Sequence, residues 1–366
     1  MSILVIKLGT STLTGGTPNL SRPRMADLAR QIAELHQRGR RVVLVSSGAI
    51  AAGRELLGDP DLPRSIPAKQ MLAAVGQPRL MERWTGLFGI YGLFAAQVLL
   101  TRADLDARPR FLNARSTLWA LLGRGVLPVI NENDTVATEE IRVGDNDNLS
   151  ALVANLVHAD RLILLTDRDG LFTADPHRDP NAALIERVDG GEIPPELWAA
   201  AGGSGRLGVG GMRTKLEAAE LARRSGASVV IARGDLPDVL LRLDSGEQLG
   251  TLFTPTLSPP ESFKRFVLSG VAAGALTVDR GAAEALHRGG SLLPPGIVRV
   301  DGVFGRGAAV RVLDPQGVEI ARGLAGYTGE DCARLAGLQS REIEAALGYY
   351  YGDEVIHRDN LVVLAR

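Results

Sequence analysis

Six short apolar runs recur along the first two thirds of the chain: Ile3–Leu8, Arg41–Val45, Phe94–Leu100, Val126–Ile130, Arg161–Thr166 and Ser228–Ala232. Each is too short for a helix. None alternates polar with apolar residues, as expected of strands buried on both faces. Amphipathic segments such as Arg24–Arg38, Asn113–Gly123 and Thr214–Arg224 lie between them. This alternation predicts a parallel, doubly wound α/β sheet. In such a sheet ligands bind beyond the carboxyl ends of the strands.

The texture changes at "TPTLSPPESF", Thr254–Phe263, where Pro259 and Pro260 predict a linker. Beyond it come shorter strand-like pieces at Ala275–Asp279, Ile297–Val300, Ala309–Leu313 and Val318–Gly323, with a turn at Asp314–Gly317. They predict a small β-rich domain. With 366 residues and 45% apolar content, the chain can bury real cores. Its formal net charge of −1 exerts no global pull towards nucleic acid or an anionic membrane. The single Cys332 excludes an intrachain disulfide and any cysteine-based metal site. No stretch reaches the roughly 18 apolar residues of a membrane span. "MSILVIKLGTS" reads as a strand and not as a leader. The expected setting is a reducing cytoplasm.

Polar and small residues accumulate where the strands end. "KLGTS" (Lys7–Ser11) follows the first run and "SSGAIAAG" (Ser46–Gly53) the second. "NENDTVA" (Asn131–Ala137) follows the fourth, and "TDRDGLFTADP" (Thr166–Pro176) the fifth. Glycine-rich strand-to-helix turns suit anions, because the backbone approaches closely and the helix dipole helps. Ordinary turn chemistry would also account for each one alone. "GVGGMRTK" (Gly208–Lys215) is neither a Walker A loop nor a dinucleotide fingerprint. In "VGDNDNLSALVA" (Val143–Ala154) four Asp and Asn residues precede an apolar helical run. A helix cap needs one or two such residues; four suggest a held ligand as well.

Lysine is scarce. Of 41 basic residues 37 are Arg, and only Lys7, Lys69, Lys215 and Lys264 are Lys. Where any positive charge would serve, this chain has usually written Arg. A remaining Lys marks a candidate position for the compact ammonium. Lys7 ends an apolar strand, where it must either pair or snorkel to the rim.

The stretches "IKLGTS", "SSGAIAAG", "NENDTVAT", "VGDNDNLSALVA", "LLTDRDGLFTADP" and "GGMRTK" occur in this order. Together they closely resemble the amino acid kinase family, and within it the members that phosphorylate the side-chain carboxylate of L-glutamate. The tail from about Gly274 is similar to a PUA domain. The resemblance covers essentially the whole chain. It implies an α/β fold, a three-layer αβα sandwich with a mainly parallel sheet, over residues 1–257. A linker would follow over 258–273, then a β-rich PUA-like domain over 274–366. The implied reaction takes ATP and L-glutamate to L-glutamyl 5-phosphate on the route to proline, with Mg2+ carried by ATP and no metal site on the protein. The implied catalytic residues are Lys7, Lys215 and Asp147, the last organising the two lysines. Ser47, Asp134 and Asn146 would bind glutamate. Lys7, Thr166, Asp167, Val209, Gly210, Gly211, Met212, Arg213, Thr214 and Lys215 would bind ATP. L-Proline is the expected feedback inhibitor, with Ile66–Gln77 as a lid. A homo-oligomer and a contact with glutamyl-phosphate reductase are further expectations, and no membrane partner is implied.

The chemistry suits these residues. A carboxylate nucleophile with a pKa near 4.3 is already ionised at pH 7 and needs no general base. The obstacle is one anion attacking another, which positioning and positive charge relieve. Aspartate, carbamate or UMP as the acceptor keeps the fold and changes the substrate; "NENDTVAT" and "GDNDNLSALVA" favour glutamate. A PUA-like tail also raises RNA binding as a rival function. Residues 271–366 carry ten Arg, no Lys and twelve Asp or Glu, a net −2 that lacks the basic footprint of an RNA module.

Overall fold

The computed structural model describes residues 2–63, 65–137, 146–176, 179–202, 211–256, 267–268 and 271–364. Eight strands form the larger sheet: β1 (Ile3–Leu8), β2 (Arg41–Ser46), β3 (Ala95–Leu100), β4 (Leu127–Glu132), β5 (Arg161–Thr166), β6 (Arg187–Val188), β7 (Ser228–Arg233) and β8 (Thr251–Phe253). Their order is β3-β4-β2-β1-β5-β7-β8-β6, with every pairing parallel except β7 with β8. The mainly parallel α/β sheet expected from the apolar runs is present. The central strand β1 has β2 on one side and β5 on the other. The chain therefore builds outward from β1 in both directions, which opens a crevice at the carboxyl ends of β1, β2 and β5.

The period of two along β1 separates its faces. Leu4, Ile6 and Leu8 belong to one core cluster with Met25, Leu28 and Ile32 of the helix Arg22–Gln37, and with Leu80 and Trp84 of the helix Ile66–Gly89. Ile3, Val5 and Lys7 point the other way. On that side the helix Asn146–Val157 packs against β1 and against the helix Met212–Arg224. Helices thus cover both faces of the sheet, completing three layers. Lys7 is brought to the layer that carries residues 146–157 and 212–224 by its parity in the strand.

Local signals set the helix starts. Ser21 caps the helix Arg22–Gln37 by accepting from the Arg24 N–H, and Ser65 caps Ile66–Gly89 by accepting from Ala68. Both helices begin with Pro in the first turn, where no amide partner is lost. Two glycines decide how the helices Ala49–Leu56 and Ile66–Gly89 meet. A Cβ on Gly76 would lie 1.8 Å from the Ala49 carbonyl oxygen, and one on Gly53 would lie 2.0 Å from that of Leu72. The two backbones are in direct contact. The expected lid stretch, Ile66–Gln77, is the first half of one 24-residue helix packed backbone to backbone on its neighbour.

The chain divides into two units, Met1–Leu105 with Arg115–Pro259, and Asp106–Ala114 with Pro260–Arg366. The second unit has a five-stranded sheet, β9 (Gly274–Val278), β10 (Ile297–Asp301), β11 (Ala309–Leu313), β12 (Glu319–Leu324) and β13 (Leu361–Val363), in the order β10-β9-β11-β12-β13. The expected turn at Asp314–Gly317 joins β11 and β12, with Gly317 at φ +81°. Within this unit Leu112 is buried with Val267, Ala309, Leu324 and Val362. Buried Tyr327 donates its hydroxyl to the Gly352 carbonyl and accepts from the Tyr351 N–H, which fixes the loop carrying Tyr349, Tyr350 and Tyr351.

The glycine contact is testable. Gly76→Ala should destabilise the protein by about 3 kcal/mol, because backbone must move to admit the methyl group; that corresponds to a fall in Tm of roughly 6–12 °C. Gly86, exposed in the same helix with nothing within 4 Å of its would-be Cβ, should gain about 0.5–1 kcal/mol as Ala. Thermal melts of the two variants should move in opposite directions.

Candidate active site

Lys7 sits next to the end of the central strand, in register with Val45 on one side and Leu164 on the other. Its side chain is 2% exposed among apolar neighbours. An ammonium there needs a counter-charge. Asp147 supplies it: Lys7 Nζ lies 2.5 Å from Asp147 Oδ1. The other carboxylate oxygen, Oδ2, is 3.1 Å from Lys215 Nζ and accepts from Thr214 Oγ1 at 2.9 Å. Asp147 is fully buried and Lys215 is 6% exposed. One carboxylate thus holds two buried ammonium groups from two different elements. Asp147 is the second residue of its helix, where the helix dipole also favours a negative charge.

Its neighbour Asn146 opens that helix. Asn146 Nδ2 donates to Ser47 Oγ at 2.7 Å and to Asn131 Oδ1 at 2.9 Å. Asn131 Nδ2 in turn donates to Gln77 Oε1 at 2.8 Å. This chain of amides links the end of β2, the helix start, the end of β4 and the helix Ile66–Gly89. Asn146 Oδ1 is buried and has no protein partner among the described residues.

Seven of the residues expected from the sequence line one cleft of about 820 Å3: Lys7, Ser47, Asp134, Asn146, Thr166, Asp167 and Lys215. Asp147 does not line it but holds two residues that do, Lys7 and Lys215. Thr166 is buried at the end of β5 and donates to Asp167 Oδ1 at 3.0 Å, while Asp167 is exposed. Asp134 follows β4 in a turn closed by the Val136 and Ala137 N–H groups donating to the Asn133 carbonyl. Burial pushes the Asp134 carboxyl above the usual carboxylate range, and no side chain among the described residues pairs with it. Gly9 leaves room beside the ammonium, since a Cβ there would come within 3.3 Å of Lys7 Nζ.

Other expected residues are placed differently. Gly211, Met212, Arg213 and Thr214 do not line the cleft among the described residues. Gly211 instead caps the helix Met212–Arg224, Arg213 pairs with Glu217 on the exposed side, and Thr214 acts on Asp147. Val209 and Gly210 lie outside the described residues, as do Val143, Gly144 and Asp145. Reading the sequence did not single out Asn131 or Gln77. Asn131 was visible inside "NENDTVA" but resembles an ordinary strand-end residue. Gln77 has no local signal, since only the helix crossing brings it near.

Two carboxylates in this site should respond oppositely to removal of charge. Asp147→Asn strands two buried ammonium groups and should cost about 3–5 kcal/mol, a fall in Tm of roughly 6–20 °C. Asp134 has a folded pKa above its unfolded value, so its ionised form is penalised in the fold and that penalty operates at neutral pH. Asp134→Asn should therefore raise Tm at pH 7, and the gain should vanish as pH falls below the carboxylate range. Melting curves of both variants between pH 3 and 7 check the signs.

Comparison with known proteins adds to this geometry. Residues 2–233 match the amino acid kinase family and residues 274–347 match the PUA domain. A protein of Photobacterium profundum named glutamate 5-kinase is 56% identical over 364 residues, covering 99% of this chain and 96% of that one. The glutamate 5-kinase of Deinococcus radiodurans is 56% identical over 363 residues, covering 99% of both chains. That of Shigella flexneri is 54% identical over 361 residues, covering 98% of both.

Proposed function

The chain belongs to the amino acid kinase family, and from that premise we propose that it transfers the γ-phosphoryl group of ATP to the side-chain carboxylate of L-glutamate. The product is L-glutamyl 5-phosphate, and the reaction is the first step of proline biosynthesis from glutamate. The observation that carries this reading is the pair of buried ammonium groups on Asp147, in one cleft with Asp134 and Asn146.

In the proposed mechanism a carboxylate oxygen of glutamate forms a bond to the γ-phosphorus as the bond to the ADP oxygen breaks. No proton changes hands, because the nucleophile is ionised at neutral pH. Lys7 and Lys215 face the transferring group and stabilise its charge. Asp147 holds both in place beforehand, so little reorganisation is needed at the moment of reaction. Asp134 receives the substrate's α-ammonium, whose charge offsets the unfavourable burial of that carboxylate. The unmatched Asn146 Oδ1 is a second acceptor for the same group, and Ser47 orients Asn146. Thr166 and Asp167 receive the nucleotide, with Lys215 from the first turn of the helix Met212–Arg224. Mg2+ carried by ATP would offset charge on the nucleotide's phosphates. Residues 1–257 carry all these roles. L-Proline also pairs a positively charged α-nitrogen, in its ring, with an α-carboxylate, so it would compete at the Asp134 end.

Incubating the protein with MgATP, L-glutamate and hydroxylamine tests the reaction, because hydroxylamine traps acyl phosphates as hydroxamates. Hydroxamate should form from glutamate and not from aspartate; no product from any amino acid would overturn the reading. Lys7→Arg and Lys215→Arg keep the charge but replace a compact ammonium with a larger fork. Each should lower kcat by at least about tenfold, since misplacement by about 1 Å already costs on the order of 100-fold. Asp134→Asn breaks a desolvated charge pair worth about 2–5 kcal/mol, so the KM for glutamate should rise by at least about 25-fold. An unchanged KM would remove Asp134 from the glutamate site.

A further inference from the structure

Four cations line the cleft: Lys7, Arg54, Lys69 and Lys215. Three have assigned partners. Lys7 and Lys215 are held by Asp147, and Arg54 pairs with Asp59 at 3.1 Å. The Lys69 ammonium forms no ion pair or hydrogen bond among the described residues. It stands on the fourth residue of the helix Ile66–Gly89, exposed to the cleft. In a chain with 37 Arg and four Lys, three of the four lysines therefore reach the same cleft.

The next residue, Gln70, also lines the cleft, and its Nε2 donates to the Ala137 carbonyl at 3.2 Å. Ala137 closes the turn that carries Asp134. This bond ties the start of the helix to that turn, so the Lys69 ammonium and the Asp134 carboxylate stand on adjoining, mutually anchored elements. They do not neutralise each other. A pair of opposite charges in one cleft, each without a partner among the described residues, is complementary to a zwitterion, with the anionic end to Lys69 and the cationic end to Asp134.

We propose that Lys69 binds the α-carboxylate of the amino-acid substrate and makes the site select α-amino acids that carry that charge. The inference rests on the proposed carboxylate phosphorylation and adds a specificity residue to it. Lys69 contributes nothing to the transferring phosphoryl group, which lies at the Lys7 and Lys215 end. Its loss should therefore appear in the KM for the amino acid, with kcat and the KM for ATP close to the parent values.

The test compares L-glutamate with its α-amide, L-isoglutamine, which keeps the α-ammonium and the reacting carboxylate and removes only the charge in question. Hydroxamate formation gives kcat/KM for both. The parent protein should prefer glutamate strongly. Lys69→Met should reduce that preference by at least about tenfold, the cost of one partly exposed charge-assisted contact. Lys69→Arg should keep most of it. Lys69 is exposed and its side chain has no partner among the described residues, so both variants should melt with the parent. Equal losses on the two substrates, with the preference preserved, would overturn the assignment and leave Lys69 a general wall residue. Failure of the parent to make any hydroxamate from glutamate would instead reject the underlying reaction, so the two failures are distinguishable.

Discussion

The bond on which the site depends is the pairing of Asp147 with both Lys7 and Lys215. Two lysines buried to 2% and 6% exposure need a counter-charge in an apolar layer, and Asp147 supplies it to both. The pairing also links three separate elements: the central strand, the helix Asn146–Val157 and the helix Met212–Arg224. Each helix is placed by apolar packing on the same face of the sheet, and the carboxylate then fixes where their polar ends meet. A contact of this kind is a weak source of net stability, because desolvation offsets most of the attraction. Its value is to hold two positive charges ready at the edge of the cleft.

The end of the cleft around Asp134 is organised by different forces. Here short amide hydrogen bonds run from Ser47 through Asn146 and Asn131 to Gln77. They are neutral, so they orient without adding charge beside Asp134. They also require the helix Ile66–Gly89 to lie close to the helix Ala49–Leu56, and this approach is possible only because Gly53 and Gly76 have no side chain at the crossing. A packing feature of two glycines thereby controls where Gln77, Lys69 and Gln70 stand relative to the sheet.

The limits of reading the sequence are visible in particular elements. β1 and β5 begin and end where the apolar runs do, because a central parallel strand is buried on both faces and every residue reports it. β6, β8 and β13 have no counterpart among the runs expected from the sequence; at two or three residues they are too short to show any period. The helix Arg108–Gly123 starts five residues before the segment expected from its amphipathic pattern. In its first turns Leu112 packs with Val267, Ala309, Leu324 and Val362, residues far away in sequence. In the site, Lys7 conflicts with its apolar strand and Lys215 stands out in a chain poor in lysine, whereas Asp147 is one of four consecutive Asp and Asn residues and only the family resemblance singles it out. Asn131 and Gln77 conflict with nothing locally and so gave no signal.

Local rules sufficed wherever a residue's neighbours in sequence are also its neighbours in space. Strand and helix identity, the parallel sheet and the stretches that close the cleft are of this kind, because burial on two faces and helix capping act over a few residues. The tertiary structure alone decided which charges share a partner. Lys7 and Asp147 are 140 positions apart, and Lys215 a further 68, so no periodicity relates them. The parity of Lys7 in its strand selects the face, and the order of the strands selects the helices that cover it. It also decided that Lys69 and Asp134 share one cleft without a partner among the described residues. Coulomb attraction depends on separation in space and on the water excluded between groups, and both are properties of the folded chain.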